Sequence, residues 1–333
     1  MTDTAADVLV LGAGVIGLST AICLAEAGVA VAVTAADPPG ATTSAAAGAI
    51  WGPHLVGMDE RIGRWANVTL AHLTELSRES ATADRPGSVV RTLRGVAASR
   101  QADAAPPEFA TGSELMPCAA GDLPAGYRAA WRLTGTTVAM PGYLNYLRGR
   151  LDRAGGQCAF PAEKIGSLDA ATALAPRARV IVNCTGAGAR TLVPDPDVVA
   201  VRGQVVLVAN PGVTEFFVGT SSADPGDLTY LFPHGDVLVL GGTEQRGDWN
   251  TEPDPATAGR IIAACSRIEP AVRGAEVIGH RVGLRPARTS VRLETEHRGP
   301  VTVVHNYGHG GAGVTLSWGC AQDAAALALA ALG

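Results

Sequence analysis

The sequence predicts an α/β fold in which a parallel sheet, covered by helices, is assembled from separated pieces of chain and an antiparallel sheet is inserted between them. Three observations predict it. The apolar run VLVL at 8–11 has the length and aliphatic content of a strand buried on both faces. A second such run, VIVN at 180–183, lies far downstream and also ends in a glycine turn, so one sheet collects distant segments. From Val201 the texture changes: short β-like runs at 204–208, 229–232 and 237–240 are separated by Pro, Gly and Asp turns, as in an antiparallel sheet.

The first strand breaks into Gly12, Gly14 and Gly17, which fit G-x-G-x-x-G. The glycines serve a tight turn, a close backbone approach to a pyrophosphate, and close packing of helix on strand. The following helix places Leu18, Ala21, Ile22, Leu24 and Ala25 on its apolar side, and Gly28 is a natural stop. A strand at 29–33 follows, and Asp37, about 20 residues past the last motif glycine, stands near where an acid would bond a ribose hydroxyl. An ordinary βαβ turn also carries glycine, in a chain with 41 of them; strand, helix, second strand and acid in register favour a Rossmann-type dinucleotide site. The motif leaves NAD and FAD open.

In chain order, 38–51 is rich in small residues, where backbone can lie against a cofactor. Residues 61–76 have helical character, and 80–126 is Ala/Pro/Gly-rich with no clear element. Pro141 reads as the first residue of a helix carrying Tyr143, Leu144, Leu147 and Leu151. Helical spacing returns at 256–266 with Ile261, Ile262 and Cys265. A last strand at 301–305 leads through His309-Gly-Gly-Ala-Gly313 into a long Ala/Leu helix. The expected division is 1–50, 140–200 and 283–333 for the dinucleotide domain, and 51–139 and 201–282 for the inserted one.

At 333 residues and 47% hydrophobic content the chain can bury a sizeable core. No apolar run approaches the ~20 residues that span a bilayer, and no basic, apolar leader precedes the first strand, so a cytoplasmic protein is expected. Six scattered cysteines, without C-x-x-C or neighbouring histidines, indicate neither a disulfide framework nor a metal site. A net charge of −5 gives no reason to expect nucleic acid. Lys164 is the only lysine, which leaves little room for lysine-based covalent chemistry.

Chemistry concentrates in the second half. Arg281-Val-Gly-Leu-Arg-Pro-Ala-Arg288 sets arginines among apolar residues, where one can bind a carboxylate through two parallel hydrogen bonds or form a structural ion pair. Tyr230, before Leu-Phe-Pro, either presents its hydroxyl to a ligand or packs. His305-Asn-Tyr-Gly-His309-Gly-Gly reads as a backbone loop closing over a cofactor rather than a metal pair, because no third ligand is near.

These residues carry a resemblance. The chain resembles the D-amino acid oxidase and D-aspartate oxidase family of FAD-dependent enzymes over essentially its whole length. It does so through VLVLGAGVIGLSTA at the N-terminus, AAGAIWGP at 46–53, VIVNCTG at 180–186, VRGQVV at 201–206, LGGTEQRGDWN at 240–250, VGLRPAR at 282–288 and HNYGHGGAGVTLSWGCA at 305–321. The resemblance implies non-covalent FAD held at its pyrophosphate by Gly12, Gly14, Val15, Ile16 and Gly17 and at its adenosine by Asp37. Thr42, Thr43, Ala47 and Gly48 would approach the ribityl chain and ring, and Ala312, Gly313, Val314 and Thr315 the pyrimidine edge. Arg285 and Tyr230 match the pair that binds the substrate α-carboxylate, and Gly311 the residue whose carbonyl receives the amino group; Arg285 and Gly311 also border the cofactor.

The implied reaction is hydride transfer from Cα of a D-amino acid to flavin N5 without a base on Cα. Reoxidation by O2 gives hydrogen peroxide, and the imine hydrolyses to 2-oxo acid and ammonia. Two departures bear on specificity. Gly226 stands where mammalian members of the family have a lid tyrosine, which implies a more open entrance. Glu244 stands where D-aspartate oxidases resemble one another in an arginine, which disfavours acidic substrates and leaves neutral or basic ones. The chain shows no C-terminal Ser-Lys-Leu type signal, and whether it works alone or as a homodimer stays open. Another FAD amine oxidase of the glycine, sarcosine or D-aspartate oxidase type, a flavin-binding protein without turnover and an NAD-dependent dehydrogenase are the competing readings.

Overall fold

The computed structural model describes residues 6–57, 59–82, 88–107, 115–160, 165–220 and 227–333. From the N-terminus it runs through β1 (Val8–Leu11), α1 (Val15–Glu26), β2 (Val31–Thr34), α2 (Glu60–Thr82), β3 (Val90–Ser99), β4 (Met116–Pro117) and β5 (Ala129–Val138). The middle holds α3 (Gly142–Arg153), β6 (Gln157–Ala159), α4 (Leu168–Leu174), β7 (Val180–Asn183), α5 (Ala189–Leu192), β8 (Val199–Ala209) and β9 (Phe216–Thr220). The remainder is β10 (Asp227–His234), β11 (Val237–Thr243), β12 (Gln245–Arg246), α6 (Pro255–Ile268), β13 (Val277–Arg298), β14 (Val301–His309) and α7 (Gly313–Leu332).

Every residue of β1, β2 and β7 is buried, as two-sided helical cover requires. These strands form the parallel order β6-β2-β1-β7-β14, with Val8 opposite Val31 on one side and Val180 on the other. On one face α1, α2, α3 and α7 bury Leu18, Ile22, Trp65, Leu144 and Leu316; on the other, Leu168 and Ala171 of α4 cover Leu9, Ile181 and Val303. Gly319 lets α7 lie on α2, since a Cβ there would stand 2.2 Å from the Trp65 Cα. Asp323 then accepts from Trp65 Nε1 at 2.8 Å and from Arg64 at 2.6 Å.

The two halves form one continuous sheet. The long β13 pairs antiparallel with β8 through its first half and with β14 through its second, and Ala287 stands at the handover, opposite both Val199 and His309. The strand is unbroken at residue 283, where the expected division falls. Beyond β8 the order continues β11, β10, β9, β3, β5, β4.

Three expectations are corrected. The stretch 80–126 is not irregular throughout: β3 is a full strand, hidden in the sequence because Arg91 and Arg94 interrupt its apolar residues. The inserted sheet is mixed, since β3 runs parallel to β9. Pro141 precedes α3 as its N-cap residue rather than opening it.

The inserted sheet packs α6 against one face through Ile261 and Cys265, and turns Tyr230, Phe232 and Phe216 to the other. Arg202 of VRGQVV is buried at 2% exposure and donates to Gln245 Oε1, Gln204 Oε1 and the carbonyls of Asn250 and Glu252. It thereby ties β8 to the segment after β11, satisfying its charge with oxygens alone. All six cysteines are free thiols, and among the described residues no helix is long and apolar enough to cross a membrane.

Candidate active site

The turn after β1 works as its glycines suggest. Gly12 has φ +108°, and a Cβ there would lie 2.5 Å from the Cys184 carbonyl oxygen; one on Gly17 would lie 1.9 Å from the Gly12 carbonyl oxygen. Helix α1 therefore sits hard against β1 and the β7 loop. Gly14 is an extended N-cap residue without a side-chain cap, and the first intrahelical bond, Leu18 N–H to the Gly14 carbonyl, leaves the first-turn amides of Val15, Ile16 and Gly17 without a partner inside the helix. Ser44 Oγ accepts from the Val15 N–H at 3.0 Å.

A second helix N-terminus meets the first. Helix α7 also starts without a side-chain cap, at Ala312, and Gly313 lies 3.8 Å from Val15 Cγ1 through the position of its Cβ. Two positive helix ends thus converge, with the Gly313, Val314 and Thr315 amides in the first turn of α7. Thr315 Oγ1 donates to the Gly52 carbonyl at 2.8 Å and accepts its N–H at 3.1 Å, so it orders the segment carrying Trp51 to Leu55.

Residues 39–48 span from α1 to the inserted sheet. Thr42 Oγ1 donates to the Pro39 carbonyl at 2.8 Å and Thr43 Oγ1 to the Leu284 carbonyl at 3.2 Å. Arg281 donates to the carbonyls of Ala45 and Met140, clamping this loop on β13. Ala47 leads to Gly48, whose Cβ position is 2.9 Å from both the Tyr230 and Phe232 rings. His234 Nε2 donates to the Gly48 carbonyl at 3.1 Å, and burial holds its pKa below the usual imidazole value.

The polar residues at the far end form a chain of contacts. Tyr230, 8% exposed, stacks on Phe232 and fits between glycines, with its hydroxyl beside Gly242 and next to the Arg285 guanidinium. Arg285 donates to the Thr243 carbonyl at 2.8 Å, and among the described residues no carboxylate lies within ion-pair distance of it. Burial pushes the Tyr230 phenol up, only partly offset by Arg285. Glu244 pairs with His54 through Oε1 and Nε2. Burial alone would raise the Glu244 carboxyl, but His54 and the Arg285 charge outweigh it and hold it below the carboxylate norm. The His54 carbonyl accepts the Gly311 N–H at 3.0 Å, and a Cβ on Gly311 would collide with the His54 ring at 2.4 Å. Ala49 and Leu55, both at φ 52°, flank this segment, a strained backbone of the kind that collects at functional sites.

The three arginines of the 281–288 motif thus divide: Arg281 tethers a loop, Arg285 enters the site, and Arg288 pairs structurally with Asp195 and Asp197. His305 contacts Asn183 and Glu296, while His309 is buried and held down to about 3 by desolvation and the Arg61 charge. Asp37 is exposed, three residues past the end of β2. Gly226 and the lid stretch lie outside the described residues. Sequence reasoning missed Ser44, Thr243 and His54; His54 directly follows the AAGAIWGP motif, but its partner is distant in the chain.

These residues fit FAD. The Gly12–Gly17 turn is a cradle that a Cβ would fill, two uncapped helix ends meet beside it, and the loop carrying Thr42, Thr43, Ala47 and Gly48 leads on to Tyr230 and Arg285.

Comparison with known proteins agrees. The family model described as DAO, FAD dependent oxidoreductase, matches residues 7–327. A D-amino-acid oxidase of Rubrobacter xylanophilus is 45% identical over 328 residues, 98% of this chain and 97% of that protein. One of Streptomyces coelicolor is 44% identical over 336 residues, 97% and 96% of the two chains. A human D-aspartate oxidase is 34% identical over 98% of this chain and 95% of its own. Among solved structures, glycine oxidase from Geobacillus kaustophilus superposes with a TM-score of 0.79 at 18% identity, covering 98% and 95% of the two chains, a likeness of fold. With a match that takes in every segment of the site described above, the chain belongs to the DAO family of FAD dependent oxidoreductases.

Proposed function

We propose that the protein oxidises D-amino acids, converting a D-amino acid, O2 and water to a 2-oxo acid, ammonia and hydrogen peroxide. The observation that carries this reading is Arg285: a guanidinium held at one end by the Thr243 carbonyl, without an acid partner among the described residues, beside the Tyr230 hydroxyl in a half-buried site. That is a receptor for a carboxylate, since the planar fork offers two parallel donors and the phenol a third. Gly311, with its N–H tied to His54, accepts a substrate amine N–H through its carbonyl.

Fixing both the carboxylate and the amine leaves only one direction for the Cα hydrogen, so the L-isomer would present its side chain there instead. FAD, when bound, supplies the two-electron acceptor for the Cα hydride, and O2 takes the electrons on. Gly12, Gly14, Val15, Ile16 and Gly17 would hold its pyrophosphate, and Asp37 its adenosine. Thr42, Thr43, Ala47 and Gly48 would line the ribityl side, and Ala312, Gly313, Val314 and Thr315 the pyrimidine edge. The protein's own contribution is orientation and electrostatics. The division into a cofactor domain (1–50, 140–200, 283–333) and a substrate domain (51–139, 201–282) accompanies this reading, with β13 as their shared strand.

Glu244 supports neutral or basic substrates over acidic ones. The test is peroxide and ammonia formation from D-alanine, D-methionine, D-arginine, D-aspartate, glycine, sarcosine and the L-isomers. Turnover of neutral or basic D-isomers above the rest is expected. Greatest activity on D-aspartate, glycine or sarcosine contradicts the reading.

A further inference from the structure

Glu244 and His54 make a pair that the chemistry of Arg285, Tyr230 and Gly311 does not use. Glu244 lies in the link between β11 and β12, a short step from Thr243, whose carbonyl holds Arg285. His54 comes from the strained segment before Leu55, on the opposite side of the site. Their facing atoms, Glu244 Oε1 and His54 Nε2, are closed to solvent, although both residues retain partial exposure: the side chains are 20% and 39% exposed. Resting on the oxidase reading above, we propose that Glu244 is the recognition site for a cationic substrate side chain, and that the His54 ring is its resident partner, displaced when such a substrate binds.

The charge pattern leads there. A neutral side chain leaves the Glu244–His54 pair undisturbed. An acidic one adds a second carboxylate beside Glu244, which is costly where water is scarce. A guanidinium or ammonium takes over the carboxylate with a charge-assisted hydrogen bond of its own, and the His54 ring gives up its place on Glu244 to it. The other titratable groups facing the pair are Arg285 from β13, permanently charged, and Tyr230 from β10, whose phenol burial raises; the loop after β14 faces it through the Gly311 backbone.

His54 is a positioning residue in this scheme. Its carbonyl holds Gly311 and its ring holds Glu244, so one residue joins the amine-accepting loop to the group that selects the side chain.

The experiment uses the FAD-loaded protein with D-arginine and D-norleucine, which differ chiefly in side-chain charge. It also uses 4-guanidinobutanoate and pentanoate, carboxylates without an amine to oxidise. Glu244→Gln raises the ratio of KM for D-arginine to KM for D-norleucine by about tenfold or more, the loss of one charge-assisted contact. Calorimetry detects tighter binding of 4-guanidinobutanoate than of pentanoate, and Glu244→Gln abolishes the difference. A KM ratio unmoved by Glu244→Gln, or equal affinity for the two carboxylates, overturns the proposal while leaving the oxidase reading intact. Failure of the wild type to oxidise either amino acid overturns both.

Discussion

Tyr230 shows how single residues build this site. Its ring stacks on Phe232 and occupies the space that side chains on Gly48, Gly241 and Gly242 would need; a Cβ on Gly241 would fall 1.8 Å from the ring. Tyr230→Phe keeps that packing and removes one donor to a charged ligand, so kcat/KM for the best D-amino acid should fall by about tenfold with the melting temperature unchanged. Arg285→Lys replaces a planar fork by a point charge and should cost roughly 10²-fold in kcat/KM, mostly through KM. His309 bears on stability instead. Its folded pKa of about 3 lies below the ordinary 6.5, so the unfolded chain takes up a proton that the folded one refuses, and stability is lost as pH falls through that window. Burial depresses His72, His234 and His305 in the same sense. Tm should therefore decline between pH 7 and pH 5, and His309→Gln should flatten the decline; a flat wild-type profile would show that these histidines are accessible. Gly12, Gly14 and Gly17 have a local signature in the sequence, whereas Tyr230 and Arg285 were singled out by the family resemblance, their own surroundings leaving packing or a structural ion pair open. His54 was not, because its meaning comes from Glu244 and Gly311, both far along the chain.

Among the elements, α7 does two jobs. Its N-terminus meets that of α1, and its body is the shelf on which α2 lies through Gly319 and Asp323. Gly319→Ala would press a methyl into Trp65, and overpacking of this kind costs about 1–3 kcal/mol, readable as a lowered denaturation midpoint. Because α7 also presents Gly313–Thr315, the same variant should retain less flavin per mole of protein; unchanged flavin content would separate the shelf from the N-terminus. Helices α1, α3, α6 and α7 were legible from their spacing. Strand β3 was not: Arg91 and Arg94 interrupt its apolar residues, and its partners β5 and β9 stand on opposite sides of it, one antiparallel and one parallel. A strand whose neighbours are distant in sequence carries little of its pairing in its own residues.

At the scale of the whole molecule, β13 makes one sheet of two halves, and the loop 39–48 is tied to it through Thr43 and Arg281. The parallel half was legible because strands buried on both faces read as continuous apolar runs; the order in which segments enter the sheet was legible only as a change of texture near Val201. The proposed chemistry requires Arg285, Tyr230 and Gly311 to hold a D-amino acid with its Cα hydrogen toward the cofactor. Its most direct test is the absorbance spectrum of the purified protein under anaerobic conditions, with D-alanine, D-methionine and D-arginine added in turn and then their L-isomers. Flavin bands near ~450 nm should be bleached by D-isomers and left unchanged by L-isomers. A yellow protein left unchanged by every D-isomer, or bleached equally by both hands, would contradict it.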